Sequence, residues 1–315
     1  MLSQQEVDDK VKLLNEPLHG IYIPVGLFVT GCFIVGCLSD ITFAYYGLAF
    51  LAVVLSVRVT MALLKRSPAM HDVKWQDFEL AETTIISKNS AIYRFKLSRE
   101  DQYLDIPVGH HLACCMVLDG KDEIRYYTPI SSPMDRGYFD ILVKSYTDGK
   151  VSKKFAHLRE GETVKFRGPV GRLDYVPNMA TEIGMIAGGS GITPILSVLS
   201  TIVTTPDDVT NVNLLYANET ENDILLREEL DEFAEKYPGF KVNYTLTTPP
   251  ANWDGETGYI TKEMIRKYMP KPSAENKLLI CGPPAMKTVA IQLTTSLGWK
   301  KAVMPSKSDD QVFIF

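Results

Sequence analysis

Gly188-Gly189-Ser190-Gly191-Ile192-Thr193-Pro194 stands directly after an apolar run, Ile183 to Ala187, and directly before a helical pattern. Glycines let a backbone come close to a phosphate, and a helix start offers unpaired N–H groups and the positive end of a dipole. Pro194 suits a first helical turn, where its missing N–H costs nothing. The segment departs from the usual Gly-x-Gly-x-x-Gly fingerprint, because Pro194 takes the third glycine's place. On its own it reads either as a phosphate cradle or as a tight strand-to-helix turn without a ligand.

Towards the C-terminus, Val212 to Ala217, Lys241 to Leu246 and Leu278 to Cys281 read as further apolar strands. They alternate with helical stretches after Pro194, Ile224, Thr261 and Pro284. Alternating strand and helix predicts a parallel α/β sheet. Its last strand ends in Cys281-Gly282-Pro283-Pro284, at the edge where ligands of open parallel sheets sit. Cys281 there is equally a small core residue or a site residue. Asp223 follows the second strand after a short loop, near the crevice for the adenosine of a dinucleotide. By residue type alone it reads as the cap of a helix beginning at Ile224.

Towards the N-terminus, from about Trp75, short alternating segments are separated by turn residues, which predicts strands. Six are expected: Phe78 to Ser87, Ala91 to Leu97, His110 to Leu118, Ile124 to Pro129, Tyr138 to Val143 and Glu162 to Arg167. Six short strands without long helices predict a closed or nearly closed antiparallel β-barrel. One of them carries Arg125-Tyr126-Tyr127-Thr128-Pro129. An arginine there can bond a phosphate bidentately, and Tyr127 shares its face of the strand. The hydroxyls of Tyr127 and Thr128 suit a polar aromatic ring or sugar chain. The residues alone favour an ordinary strand with one exposed arginine. Gly149-Lys150-Val151-Ser152 opens a helical pattern, Val151 to Leu158, and reads as a turn plus cap or as a second anion site. His110 and His111 read as structural.

The first residues have another texture. Ile21 to Ser39 carries no charge, and after Asp40 a second uncharged run extends from Ile41 to Val57. A bilayer crossing needs ~17–25 predominantly apolar residues, so the expectation is a transmembrane helical hairpin over residues 21–64, with a single span as the alternative. Lys10, Lys12, Lys65 and Arg66 flank it, which places residues 1–20 and the rest of the chain in the cytosol. The 315 residues hold 33 basic and 38 acidic side chains, a net charge of −5, with no basic block for a nucleic-acid footprint. Hydrophobic residues make up 45%, too many for intrinsic disorder. Five cysteines without disulfide or zinc spacing fit a reducing compartment.

Taken together in this order, these motifs and the terminal aromatic Phe315 resemble the NADH–cytochrome b5 reductase family of the ferredoxin reductase-like flavoenzymes, over roughly Trp75 to Phe315. The apolar N-terminus and the stretch Tyr216 to Leu226 look most like a fungal, membrane-anchored microsomal branch. The resemblance implies an FAD-binding β-barrel domain over 75–177 and an NADH-binding α/β domain over 181–315. It implies that Arg125, Tyr127 and Thr128 hold FAD, Arg125 at the pyrophosphate with the backbone of Gly149, Lys150, Val151 and Ser152, and Thr128 near the flavin ring. Lys144 and Tyr146 match positions around the flavin and incoming NADH, and Thr193 approaches the flavin. Gly188, Gly189 and Gly191 take the NADH phosphates, Cys281, Gly282 and Pro283 the nicotinamide end, and Asp223 disfavours NADPH. Thr128 and Cys281 are thereby the expected catalytic positions, with no metal. The links from Tyr146 to Gly149 and from Tyr175 to Ile183 are shorter than in many relatives, which bears on the adenine of FAD. The implied activity is hydride transfer from NADH to FAD, then single electrons to cytochrome b5 or a similar haem protein at the endoplasmic reticulum, with the plasma membrane as the other location. A quinone or ferric-chelate reductase and a redox-inactive membrane scaffold are the alternatives.

Overall fold

The computed structural model describes residues 23–38, 41–64, 69–146 and 149–315, in two compact units that divide between Ser67 and Pro68. The first unit contains helices α1 (Ile23–Leu38) and α2 (Ile41–Leu64), whose Phe28 and Phe50 rings lie 6.5 Å apart. Among the described residues, no helix is long and apolar enough to cross a membrane. This overturns the expected transmembrane helical hairpin. Helix α1 has 16 residues, a rise of ~24 Å at 1.5 Å per residue, short of the ~30 Å hydrocarbon core. In α2 the uncharged run covers only Ile41 to Val57 before Arg58, ~26 Å on the same count. The expected cytosolic segment 1–20 lies outside the described residues.

The second unit begins with strands β1 (Gln76–Ser87), β2 (Ser90–Lys96), β3 (His111–Leu118), β4 (Lys121–Tyr127), β5 (Tyr138–Lys144) and, after helix α3 (Lys150–Ala156), β6 (Thr163–Val170). They form one antiparallel sheet in the order β4-β3-β6-β1-β2-β5. The sheet curls closed where Pro129, just past β4, pairs with Ile141 of β5, and Ile130 N–H donates to Asp140 O at 2.9 Å. Inside, Phe78, Phe95, Phe139 and Phe166 pack ring against ring, with centroids 4.9 to 6.1 Å apart, distances at which aromatic pairs attract beyond their buried area. Helix α3 closes one end by burying Val151 and Phe155.

The remaining chain gives β7 (Glu182–Gly188), α4 (Ile192–Thr204), β8 (Asn211–Asn218), α5 (Arg227–Lys236), β9 (Phe240–Leu246), β10 (Glu256–Thr257), α6 (Lys262–Tyr268), β11 (Asn276–Cys281), α7 (Pro284–Ser296) and β12 (Val312–Ile314). The sheet is parallel throughout, in the order β10-β9-β8-β7-β11-β12. Strand β7 is buried on both faces from Ile183 to Gly188, which is why it reads as an unbroken apolar run rather than an alternating one. From β7 the chain moves outward through β8, β9 and β10, then returns to β11 on the other side of β7. That reversal opens a crevice beyond the C-terminal ends of β7, β8 and β11. The helix expected at Ile224 begins instead at Arg227, because Leu226 adopts a left-handed φ of 57° that ends one turn before the next starts. Glu221 to Asp223 form a short 3-10 turn of their own.

Candidate active site

In register, Ala187 at the end of β7 pairs with Cys281 at the end of β11. The glycine segment and the Cys-Gly-Pro-Pro segment, remote in sequence, therefore meet. They meet closely: a Cβ on Gly191 would lie 2.6 Å from the carbonyl carbon of Cys281 and 2.7 Å from Gly282 N. Only glycine permits that approach. Gly189 has φ 51°, so the turn entering α4 also needs a left-handed residue.

Three adjoining cavities run between the barrel and this crevice. The first, about 580 Å³, lies between Arg125, Tyr126 and Thr128 on the barrel side and Thr193, Cys281 and Phe315 on the other. The second, about 390 Å³, is walled by Arg125, Tyr127, Lys144, Lys150, Val151 and Ser152. The third, about 620 Å³, is walled by Lys144, Gly188, Gly189, Asn218, Glu219 and Tyr259. Tyr146 lines all three. The structure thus brings together every residue expected at the site except one: Gly149 lines the second cavity, Gly191 and Gly282 the first, and Pro283 both the first and the third. Asp223 lines none of them.

The cations of the second cavity are not loose. Arg125 Nη1 and Lys150 Nζ both donate to Glu123, at 3.3 and 2.9 Å. The Lys150 bond foremost holds the Glu123 carboxyl below its ordinary range. Glu123 was not among the expected site residues, although its position two before Arg125 on one strand face was a legible signal. Lys144 Nζ donates to Asp223 Oδ1 at 2.8 Å, with side chains only 9% and 14% exposed. Asp223 Oδ2 accepts from Thr220 N at 3.0 Å and Thr220 Oγ at 2.7 Å. The expected cap of a helix at Ile224 is therefore corrected: Asp223 closes a capping box on its own 3-10 turn and reaches across to the barrel. Burial alone would raise its pKa, but the Lys144 and Thr220 bonds outweigh burial and hold it below the usual value.

Burial pushes the Cys281 thiol up to about 11, so at neutral pH it is a small uncharged wall and no nucleophile. His111, also in the first cavity, sits edge-on to Tyr126 with centroids 5.0 Å apart. Burial, with the charge of His110, pushes it down to about 4. Lys287, in the first turn of α7, lines the same cavity and donates to Phe315 O at 2.9 Å. Nothing in its local sequence announced this role.

The donor set fits the expected cofactors. Two cations on one side of the second cavity suit a pyrophosphate, and the aromatic and hydroxyl side chains of Tyr127, Thr128 and Thr193 suit a polar planar ring. In the third cavity, Asn218 is 7% exposed and neither atom of its amide has a hydrogen-bond partner among the described residues. The amide is itself enclosed rather than open to the cavity, and lies beside the buried hydroxyl of Tyr216.

Residues 77–175 match the oxidoreductase FAD-binding domain and residues 185–292 the oxidoreductase NAD-binding domain. A plasma membrane-associated coenzyme Q6 reductase of Saccharomyces cerevisiae is 50% identical over 314 residues, the full length of both chains. NADH-cytochrome b5 reductase 1 of Ajellomyces capsulatus is 42% identical over 96% of this chain and 97% of its own. Among solved structures, the cytochrome b5 reductase domain of Ulva prolifera nitrate reductase superposes with a TM-score of 0.72 at 32% identity, covering 79% of this chain and all of that one.

Proposed function

Because this chain belongs to the NADH–cytochrome b5 reductase family, and so is an FAD- and NAD-binding oxidoreductase, we propose that it oxidises NADH and delivers single electrons to cytochrome b5 or a similar haem protein. Bound FAD supplies the two-electron to one-electron conversion. The observation that carries this reading is the set of three cavities that share Tyr146 as a wall, from the cationic pocket at Arg125 and Lys150 to the crevice lined by Asn218.

In this reading Arg125 and Lys150 release part of their hold on Glu123 and take the FAD pyrophosphate, with the backbone of Gly149 to Ser152 beside it. Tyr127, whose ring is fixed 5.3 Å from Phe155, and Thr128 present one wall to the flavin, and Thr193 the facing one. Thr128 and Thr193 are each 7% exposed, and the Thr193 hydroxyl donates to Ser190 O at 3.3 Å. Gly188, Gly189 and Gly191 leave room for the NADH phosphates. Cys281, Gly282 and Pro283 confine the nicotinamide end, and the uncharged Cys281 thiol keeps that wall free of a competing anion. Orientation at a near-attack distance of ~3–3.5 Å, rather than proton transfer by a side chain, is what these residues contribute. The working division is an FAD-binding lobe over 75–177 and an NADH-binding lobe over 181–315.

A second acceptor, a quinone, is favoured by the yeast relative, a coenzyme Q6 reductase matched over its whole length. That relative's association with the plasma membrane also supports work at the cytosolic face of a membrane, plasma or endoplasmic reticulum. The test is stopped-flow: NADH should bleach the flavin absorbance, and the reduced protein should then be reoxidised by cytochrome b5. Faster reoxidation by a short-chain quinone would replace the haem acceptor. Protein that cannot be loaded with flavin would end the reading.

A further inference from the structure

We propose that a fourth cavity, a cleft between the barrel and helices α4 and α5, is the binding site of a neutral quinone acceptor. This rests on the quinone reading given above and names its site.

The cleft has a volume of about 290 Å³, at the small end of the ~300–1,000 Å³ usual for ligand pockets. Ile106, Val108 and Ile130 wall it from the barrel, and Leu196 of α4 and Phe233 of α5 from the other lobe. Thr128 and Thr193 line it and also the 580 Å³ cavity, and among the described residues they are the only ones common to both. A guest in the cleft and a flavin at those threonines therefore share one pair of side chains as a partition. Such a guest approaches the flavin without entering the space that NADH needs.

The polar groups of the cleft are mostly hydroxyls. Ser131 Oγ accepts from Asp140 N at 3.1 Å and Ser132 Oγ from Met134 N at 3.2 Å, which holds each oxygen in place and leaves its O–H to donate. Ser197 and Ser200 line the cleft from α4, and neither hydroxyl has a hydrogen-bond partner among the described residues. No lysine, arginine or histidine is among the described lining residues, and Glu229 is the one carboxylate. An anionic acceptor such as a ferric chelate finds no counter-charge there. A quinone is uncharged and planar: its ring can be buried against the apolar walls and its two carbonyl oxygens can accept from serine hydroxyls.

Reduction in the cleft balances as NADH + H⁺ + quinone → NAD⁺ + hydroquinone. NADH loses a C–H bond and supplies two electrons and one proton by way of the flavin. The second proton comes from water, and both quinone carbonyls become C–OH groups.

The holoenzyme is tested with duroquinone as the probe. Ser197→Phe sets a ring in the cleft and should lower kcat/KM for duroquinone about tenfold or more. Flavin content, bleaching by NADH and ferricyanide reduction should stay at wild-type levels. Ser200→Leu repeats the comparison should the phenylalanine variant lose its flavin. An azido-substituted benzoquinone, photolysed on the wild-type protein, should label peptides carrying residues 129–133 or 196–201. Unchanged duroquinone kinetics in both variants, or label confined to the peptides of Cys281 and Phe315, would put the quinone in the nicotinamide cavity and overturn the proposal. Wild-type protein whose reduced flavin is not reoxidised by duroquinone ends the quinone reading and this site with it, a result distinct from a quinone reduced elsewhere.

Discussion

Arg125 is half-exposed and shares Glu123 with Lys150, so a phosphate arriving there displaces a carboxylate rather than water alone. Arg125→Ala removes a fixed fork donor, ~1.5–3 kcal/mol for a charged hydrogen bond. Flavin affinity should fall about tenfold or more, read as flavin retained after dialysis; unchanged retention would mean that Arg125 does not hold the pyrophosphate. His111 gives a pH signature. Its ordinary value of ~6.5 is pushed down to about 4 in the folded protein, so the unfolded chain takes up a proton that the folded one refuses. The stability this histidine contributes is present above pH ~6.5 and is lost as pH falls towards about 4. His111→Phe, which keeps the ring beside Tyr126, should therefore shrink the difference in Tm between pH 7 and pH 5. An undiminished difference would assign the slope to other groups.

The turn from β7 into α4 works only because Gly191 has no side chain. Gly191→Ala drives a Cβ to 2.6 Å from the Cys281 backbone, and backbone at the end of a central strand cannot yield as a flexible side chain would. Overpacking of this kind costs ~1–3 kcal/mol, and each kcal/mol lowers Tm by ~2–4 °C in a unit of 150–250 residues. A scanning calorimeter should show that fall together with a higher KM for NADH. An unchanged Tm would mean that β7 and β11 part more easily than their pairing indicates. The segment after β8 shows the limit of pattern reading: the apolar spacing of Ile224 and Leu225 continues into the helical residues, but the left-handed Leu226 splits it into a 3-10 turn and a separate helix.

At the scale of the whole molecule, the division between Ser67 and Pro68 leaves barrel, parallel sheet and the run of cavities in one unit. A shortened chain of residues 69–315 should fold cooperatively, keep flavin and reduce ferricyanide with NADH at close to the full-length rate. A shortened chain that aggregates or loses flavin would show that α1 and α2 take part in the fold of the catalytic unit. Within that unit the barrel is tied to the sheet by the Lys144–Asp223 pair, whose side chains are at most 14% exposed. Removing one partner leaves a buried charge alone, which costs more than an exposed pair of the same geometry. Asp223→Thr should accordingly melt several degrees lower, even though threonine retains some capping ability. A Tm within a degree of wild type would show that water reaches Lys144.

Six alternating segments, four apolar runs spaced by helices, and two turns rich in glycine and proline were enough to define an antiparallel barrel followed by a parallel sheet. Each of those signals is complete within a window of a few residues, because period, turn chemistry and the freedom of glycine are local properties. The same holds for Arg125, Lys150, Thr193 and Cys281 as candidate residues, each marked by its own short motif. What tertiary structure alone decided are the partnerships. Lys144 and Asp223 are 79 positions apart and meet only because the end of β5 faces the end of β8. Helix length also proved a structural matter: the uncharged run Ile21 to Ser39 yields a helix of 16 described residues, short of a bilayer core. Charge pairing and burial depend on which elements the sheet order makes neighbours, and no window along the chain contains that order.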